Sequence, residues 1–264
     1  MSAIGNKYAM IRALTEILGE ICMADLVYQR IIKDLTRRIF AGEFAAEMKL
    51  PDERHLSTEY QVSRSSIKRA LALLANDGIV FKKRGSGTFI NPLYLENQSL
   101  FNYEGSNLGI TDNLQMAGKK PGIKLLEFAV IPATKTLQRD LFLQSGEFVY
   151  QIKRLRLLDD QPFMIEESFI PIKVVPELNQ EIAGHSIFNY LQVTKKQAVT
   201  KSFLTIGAAP ATAEDQKLLQ LKANEPVGTM AGIFFLDDGT PIEYSFMRMH
   251  YQYLKFNSFV AIEP

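Results

Sequence analysis

The 264-residue chain contains one cysteine, Cys22, three histidines and no tryptophan. A single cysteine excludes an intrachain disulfide framework and any cysteine-rich zinc site, and it fits a reducing compartment. His55, His185 and His250 stand far apart in the sequence, so neither a metal nor a cofactor is expected. No apolar run approaches the ~20 residues that a membrane-spanning helix needs, and the N-terminus lacks a basic segment followed by a continuous apolar core. No membrane partner is therefore expected, and the cytoplasm is the natural compartment. A strong charge of either sign is missing too: 30 Lys and Arg stand against 29 Asp and Glu, a net of +1.

That near-neutral total hides a gradient. Residues 1–92 hold 14 Lys and Arg against 10 Asp and Glu, which leaves 16 against 19 for the remainder. Within 61–90 the imbalance sharpens to Arg64, Lys68, Arg69, Lys82, Lys83 and Arg84 against Asp77 alone, a patch suited to phosphate. Residues 1–22 are expected to be a separable N-terminal extension, because Met23-Ala24-Asp25 opens a better-defined helical pattern and could serve as an alternative initiator.

From Asp25 the apolar residues Val27, Ile31, Leu35 and Ile39 recur every four positions along one helix face, and Gly42 can end that helix. Leu50-Pro51-Asp52 sets an extended residue before proline and then a carboxylate able to cap a helix, so Glu53–Tyr60 is predicted as a short second helix. After a turn at Gln61-Val62, Ser63 is a good cap for a third helix. Ile67, Ala70, Leu71 and Leu74 form its inner face, and Asn76-Asp77-Gly78 closes it. Two short strands, Ile79-Val80-Phe81 and Thr88-Phe89-Ile90, then flank the basic turn Lys82-Lys83-Arg84-Gly85-Ser86-Gly87.

Three helices followed by a basic hairpin predict a winged helix-turn-helix whose third helix enters a major groove. Ser63, Arg64, Ser65, Ser66 and Lys68 supply short hydroxyls and long cations for phosphates and base edges, while the wing glycines permit close backbone approach. Leu50-Pro51-Asp52-Glu53-Arg54, Val62 to Leu71, Gly78-Ile79-Val80 and Arg84 to Ile90 resemble the GntR-family winged helix in order and spacing. The resemblance implies double-stranded operator DNA as partner, with Arg54, Ser63, Arg64, Ser65, Ser66, Lys68 and Arg84 as contacts and Gly85 in the minor groove. Lys68 stands where the family commonly has Arg, which bears on operator preference because lysine lacks the bidentate fork. Asp52 replaces the usual Ser cap.

Asn91-Pro92 closes the wing, and 93–107 is expected to be an aperiodic connector. Beyond it lies an internal echo at a spacing of 78 residues: Pro132-Ala133-Thr134 recurs as Pro210-Ala211-Thr212, and Leu158-Asp159-Asp160 as Leu236-Asp237-Asp238. Each copy is predicted as a helix, a strand, an Asp-containing turn and a second strand, so 108–264 should be two helix-plus-hairpin halves sharing one antiparallel sheet. The fold class is α+β. In the first copy Arg154 and Arg156 are two apart on a strand and share a face, so they can converge on one anion; the matching positions in the second copy are Gly232 and Phe234. The competing reading leaves both arginines on a solvated face, paired with Glu166 or Glu167.

Arg154-Leu155-Arg156, Ile165 to Pro171, Ser186 to Leu191 and Pro241 to Ser245 resemble the UTRA effector-binding domain of the HutC branch of these regulators, which has a chorismate-lyase-like fold. In members that sense sugar phosphates, an Arg-x-Arg pair and a Ser bind phosphate, with a Thr and acidic residues nearby. By that resemblance Thr111, Arg154, Arg156, Glu166, Ser186 and Glu243 are the effector residues, and the chain is a homodimeric repressor released by a small anionic metabolite such as a sugar phosphate. Phe188 removes a hydroxyl that some such sensors place there, and Met247 to Phe256 lacks a frequent Asp near Gln252. A urocanate-like carboxylate also suits two arginines. A lyase-like enzyme is disfavoured, because no nucleophile–base pair, phosphate-cradling glycine loop or metal cluster is legible. Single-stranded RNA is disfavoured because no aromatics interleave with the basic patch.

Overall fold

The computed structural model describes residues 27–96, 109–116 and 118–256. The expected extension 1–22 lies outside them. The chain divides into two compact units, the first running to Gln98 and the second spanning Ser99–Phe256.

In the first unit helix α1 occupies 27–40 and buries Ile31, Leu35 and Ile39, three of the four positions that its four-residue spacing singles out. Helix α2 is Glu53–Tyr60, begun by Asp52, whose Oδ1 accepts the His55 backbone N–H at 2.7 Å. That bond holds the Asp52 carboxyl below the usual carboxylate range. Helix α3, Arg64–Asn76, is capped by Ser63 and ends before Gly78, whose φ of 71° is the left-handed conformation glycine adopts without strain. Strands β1, Val80–Lys83, and β2, Gly87–Ile90, pair antiparallel with Val80 opposite Ile90. Ile67, Ala70, Leu71 and Leu74 from α3 meet Ile31, Leu35, Leu56 and Ile90 in one core. The segment expected as an aperiodic connector begins with a short helix, α4 (Pro92–Glu96), whose Tyr94 and Leu95 pack against this core. Residues 97–107 lie outside the description.

In the second unit the echo is architectural. The first half is α5 (Ile110–Met116), β3 (Pro121–Pro132), α6 (Lys135–Asp140), β4 (Phe148–Leu158) and β5 (Gln161–Pro171). Short helices α7 (Gln180–Ala183) and α8 (Ile187–Tyr190), followed by a π-helical turn at Leu191–Lys195, lead to the second half: β6 (Val199–Pro210), α9 (Ala213–Leu218), β7 (Pro226–Leu236) and β8 (Pro241–His250). The strands form one six-stranded antiparallel sheet in the order β3-β4-β5-β8-β7-β6, so the two halves meet along β5 and β8. The expected helix-plus-hairpin unit is present in each copy, but a 12-residue edge strand, β3 or β6, that the sequence reading omits directly precedes it.

Both sheet faces are covered. Tyr150, Ile152, Met164, Met230 and Met247 pack with Ile110 and Leu114 of α5 and Ile187 and Phe188 of α8. The opposite face meets α6 through Val149 and Leu137, and Leu155 and Ile165 pack against Leu219 and Leu221, just beyond α9. Helix α9 carries a capping box between Thr212 and Asp215, and Asp215, 1% exposed, also receives Arg248 Nη2 at 2.6 Å. At the β6–β7 junction Gly232 is obligatory, because a Cβ there would lie 1.8 Å from the Phe203 carbonyl oxygen.

Candidate functional site

The two units carry chemically different candidate sites. In the first, Ser63, Arg64 and Ser65 at the helix start are exposed and Ser66 is half-buried. Ser63 Oγ lies 2.8 Å from Ser65 Oγ and 2.9 Å from Ser66 Oγ, and it accepts the Ser66 backbone N–H at 3.2 Å. Ser63 and Ser66 are thus engaged in the cap, while Arg64, Ser65 and Lys68 project into solvent along α3. Arg69 stacks on the Tyr28 ring at 4.1 Å, which ties it to α1. In the wing, Lys82 and Lys83 belong to β1, and the turn itself is Arg84-Gly85-Ser86. Gly85 has φ +72° and open space around its missing Cβ, as an exposed tip requires.

A cleft of about 960 Å³ runs between the wing and the start of α2, lined by Arg54, Lys82, Arg84 and Gly85 but also by Glu43, Asp52 and Glu53. Lys82 sits 3.7 Å from Glu53 across it. The structure therefore brings Arg54, Arg84 and Gly85 together, and groups Ser63, Arg64, Ser65, Ser66 and Lys68 on α3.

The second unit inverts this pattern. Arg154 and Arg156 share the α5-side face of β4 as their two-residue spacing requires, yet they are 2% and 8% exposed, so the solvated-face reading fails. Their carboxylate is Glu166 on β5, directly opposite Arg154 in the register. Glu166 Oε2 accepts Arg154 Nε at 2.7 Å and Arg156 Nε at 3.1 Å, and Oε1 accepts Arg156 Nη2 at 3.0 Å. Glu167, on the other face, instead accepts Gln151 Nε2 at 2.7 Å.

Loops complete the cluster. Arg154 Nη1 donates to the Ala183 and His185 carbonyls at 3.4 Å each, and Arg156 Nη1 donates to Thr111 Oγ1 at 3.1 Å. Ser186 caps α8 and donates to Asp112 Oδ2 at 3.5 Å, so the first turn of α5 touches both the arginine pair and the α7–α8 loop. Glu243 on β8 accepts Ser168 Oγ at 2.7 Å on one oxygen. All six sequence-identified effector residues thus fall within one face and its cover.

Burial sets the electrostatics. It lowers the Arg154 pKa against the pull of Glu166. It also opposes ionisation of Glu166, but the two guanidinia outweigh it and hold that carboxyl below the usual range. Glu243 has no guanidinium bonded to it; burial, followed by the Glu166 charge, pushes it up to about 7. Two guanidinia thus share the one carboxylate that is bonded to them.

Sequence reasoning missed Asp112, Ser168 and Ser245. A signal for the serines exists: Ile165-Glu166-Glu167-Ser168 and Ile242-Glu243-Tyr244-Ser245 repeat one pattern 77 residues apart, one short of the spacing found elsewhere. Among the described residues no group of His, Cys, Asp and Glu could hold a metal ion, and no helix is long and apolar enough to cross a membrane.

Comparison with known proteins agrees with both units. Residues 27–90 match the gntR family of bacterial regulatory proteins, and 116–255 match the UTRA domain. The HTH-type transcriptional regulator GmuR of Bacillus subtilis is 30% identical over 221 residues, covering 84% of this chain and 92% of the relative. The mannosyl-D-glycerate transport/metabolism system repressor MngR of Escherichia coli is 28% identical, covering 83% and 89% respectively. The crystal structure of the possible transcriptional regulator YydK of B. subtilis superposes with a TM-score of 0.69 at 26% identity, covering 89% of this chain and 99% of that one. The chain belongs to the gntR family of DNA-binding transcriptional regulators, in the branch that carries a UTRA domain.

Proposed function

We propose that this chain is a cytoplasmic transcriptional repressor that binds its operator as a homodimer and releases it when an anionic metabolite of the sugar-phosphate class occupies the arginine cluster. Residues 23–92 act as the DNA-binding domain, 93–107 as the connector and 108–264 as the effector domain. Two copies present α3 to successive major-groove faces of a near-palindromic site. Arg64, Ser65 and Lys68 reach bases and phosphates, Ser63 and Ser66 position the helix start, Arg54 and Arg84 meet phosphate, and Gly85 lets the wing approach the minor groove.

The observation that carries the effector assignment is the sharing of one buried carboxylate, Glu166, by Arg154 and Arg156. A phosphate brings several acceptor oxygens, which can replace the carbonyls and the Thr111 hydroxyl that now complete the arginines' bonds beside Glu166. Thr111 can add a hydroxyl donor, Ser186 can do so by giving up its bond to Asp112, and Glu166 and Glu243 can accept from sugar hydroxyls. A phosphate arriving at Arg156 competes for the bond to Thr111, so it acts on α5, the first helix after the connector. Unequal affinity of effector for DNA-free and DNA-bound forms is what shifts operator occupancy. The name of the relative MngR supports a sugar-derived effector.

The test is a thermal-shift screen of the full chain against sugar phosphates, their unphosphorylated parents and small carboxylates, repeated with Arg156→Ala. A ligand present at 100 times its Kd should stabilise the fold by about 2.7 kcal/mol. Stabilisation by phosphorylated sugars in the parent and not in the variant is the expected result. A response only to carboxylates, or one independent of Arg156, contradicts the assignment.

A further inference from the structure

The cleft between the wing and α2 carries cations that its own acids do not pair. Arg38 holds Glu43 through two bonds, at 2.6 and 2.8 Å, and Asp52 caps α2. Glu53 sits 3.7 Å from Lys82, which ties that lysine in part to the protein itself. Among the described residues no carboxylate pairs with Lys49, Arg54 or Arg84, all of which line the cleft. Lys49 is the one of these that the basic stretch 61–90 and the helix-turn-helix motif leave out.

Strand pairing brings it there. Lys49 forms an antiparallel bridge with Phe89 of β2; the Leu50 N–H donates to the Thr88 carbonyl at 2.9 Å and the Ile90 N–H to the Met48 carbonyl at 2.8 Å. Lys49, Gly87 and Phe89 therefore share the wing face turned away from the core, while Leu50, Thr88 and Ile90 take the buried one. The Lys49 ammonium stands 5.7 Å from the centre of the Phe89 ring, on which Phe81 also stacks at 5.7 Å. A Cβ on Gly87 would lie 2.9 Å from Lys49 Cε, so the glycine leaves the space that the lysine stem occupies. A long flexible cation is thus held in place before a partner arrives, which lowers the side-chain entropy lost on binding. The ring attracts the ammonium from one side, and its N–H donors remain available to an acceptor.

We propose that Lys49 is a backbone contact of the operator: its ammonium, seated on Phe89 beside Gly87, takes a phosphate of the DNA strand that enters the cleft next to Arg54 and Arg84. Only the DNA-binding class of the chain is needed for this, whatever the effector. The chemistry favours phosphate over a base edge, because an ammonium is a point charge without the planar fork that reads guanine. Such a contact adds affinity and fixes the approach of the wing, and it carries no sequence information of its own. It extends the DNA footprint from α3 and the wing tip to the segment before α2.

The experiment is fluorescence anisotropy of the full chain on a duplex selected by the protein from a random pool and on a scrambled duplex, across a series of salt concentrations. The proteins are the parent, Lys49→Met and Lys49→Arg. Methionine keeps an apolar stem against Phe89 and removes the charge. Lys49→Met should reduce the slope of log affinity against log salt by about 0.9, the share of one phosphate, which amounts to about eightfold weaker binding at about 0.1 M if the proteins converge near 1 M. Both duplexes should lose by the same factor, and Lys49→Arg should restore the slope. The melting temperature of Lys49→Met without DNA should match the parent's. An unchanged slope in Lys49→Met overturns the proposal. A lowered melting temperature with the slope intact marks a lysine that only props the wing, and a loss confined to the selected duplex marks a base contact; either result overturns it as well.

Discussion

The two units use charge in opposite ways. Arg64 and Lys68 stand in water on a helix whose apolar face does the folding, whereas Arg154 and Glu166 lie inside the sheet's cover and are part of the packing. An exposed cation costs the fold little and is free for phosphate, while a buried one must be compensated before any ligand arrives. The lesson is that recognition and stability are separable in the first unit and entangled in the second.

Breaking the buried side gives the largest expected effect. Arg154→Ala removes one of two guanidinia from an ionised buried carboxylate and should cost about 3–5 kcal/mol in urea unfolding. Asp215→Ala removes the capping box and the Arg248 pair together and should cost about 1.5–3 kcal/mol, read in the same experiment. In contrast, Arg64→Ala should leave unfolding within about 0.5 kcal/mol of the parent yet weaken operator binding by about 1–3 kcal/mol in a fluorescence titration. A loss of stability there would erase the contrast between the units. Ser63→Ala is intermediate in kind, since the cap bond holds the helix that carries the contacts; about 1 kcal/mol of stability should go.

The smallest effect is a pH slope. Folded Glu243 keeps its proton up to about 7, whereas the unfolded side chain releases it near 4.5. Between those values the folded state binds more protons, so its contribution to stability is fully present below the unfolded value and is lost as pH rises through the folded one. Glu166 runs the other way, and its contribution is lost only as pH falls below the ordinary carboxylate range. Melting temperatures of Glu243→Gln should therefore vary less with pH than the parent's across the interval from 4.5 to 7. An unaltered slope would place the titration elsewhere.

How much of this was legible in the sequence follows from how local each feature is. The caps at Asp52 and Ser63, the four-residue spacing of α1 and the stop at Gly78 are decided within one turn of chain, and the structure has them where the sequence places them. The edge strands β3 and β6 were illegible because neither shows clean alternation: one face of each is only half covered, and β6 runs through Gly207-Ala208-Ala209. The convergence of Arg154 and Arg156 follows from strand period alone. The identity of their acid does not, since Glu166 and Glu167 are adjacent and only the β4–β5 register puts Glu166 on the arginine face. Ser168 and Ser245 were hidden for a related reason: their meaning depends on pairing across the seam between strands 77 residues apart.

The claim that joins the two units is that filling the arginine cluster empties the operator, and it has a direct measurement. Fluorescence anisotropy of a duplex selected by the protein from a random pool should be followed while the tightest-binding hexose 6-phosphate is added to the parent and to Arg156→Ala. The account predicts that the effector weakens operator binding in the parent by about 5- to 150-fold, the usual span of coupling between two sites, and leaves the variant's operator affinity unchanged. Equal release from both proteins, or none from the parent with the effector bound, would contradict it.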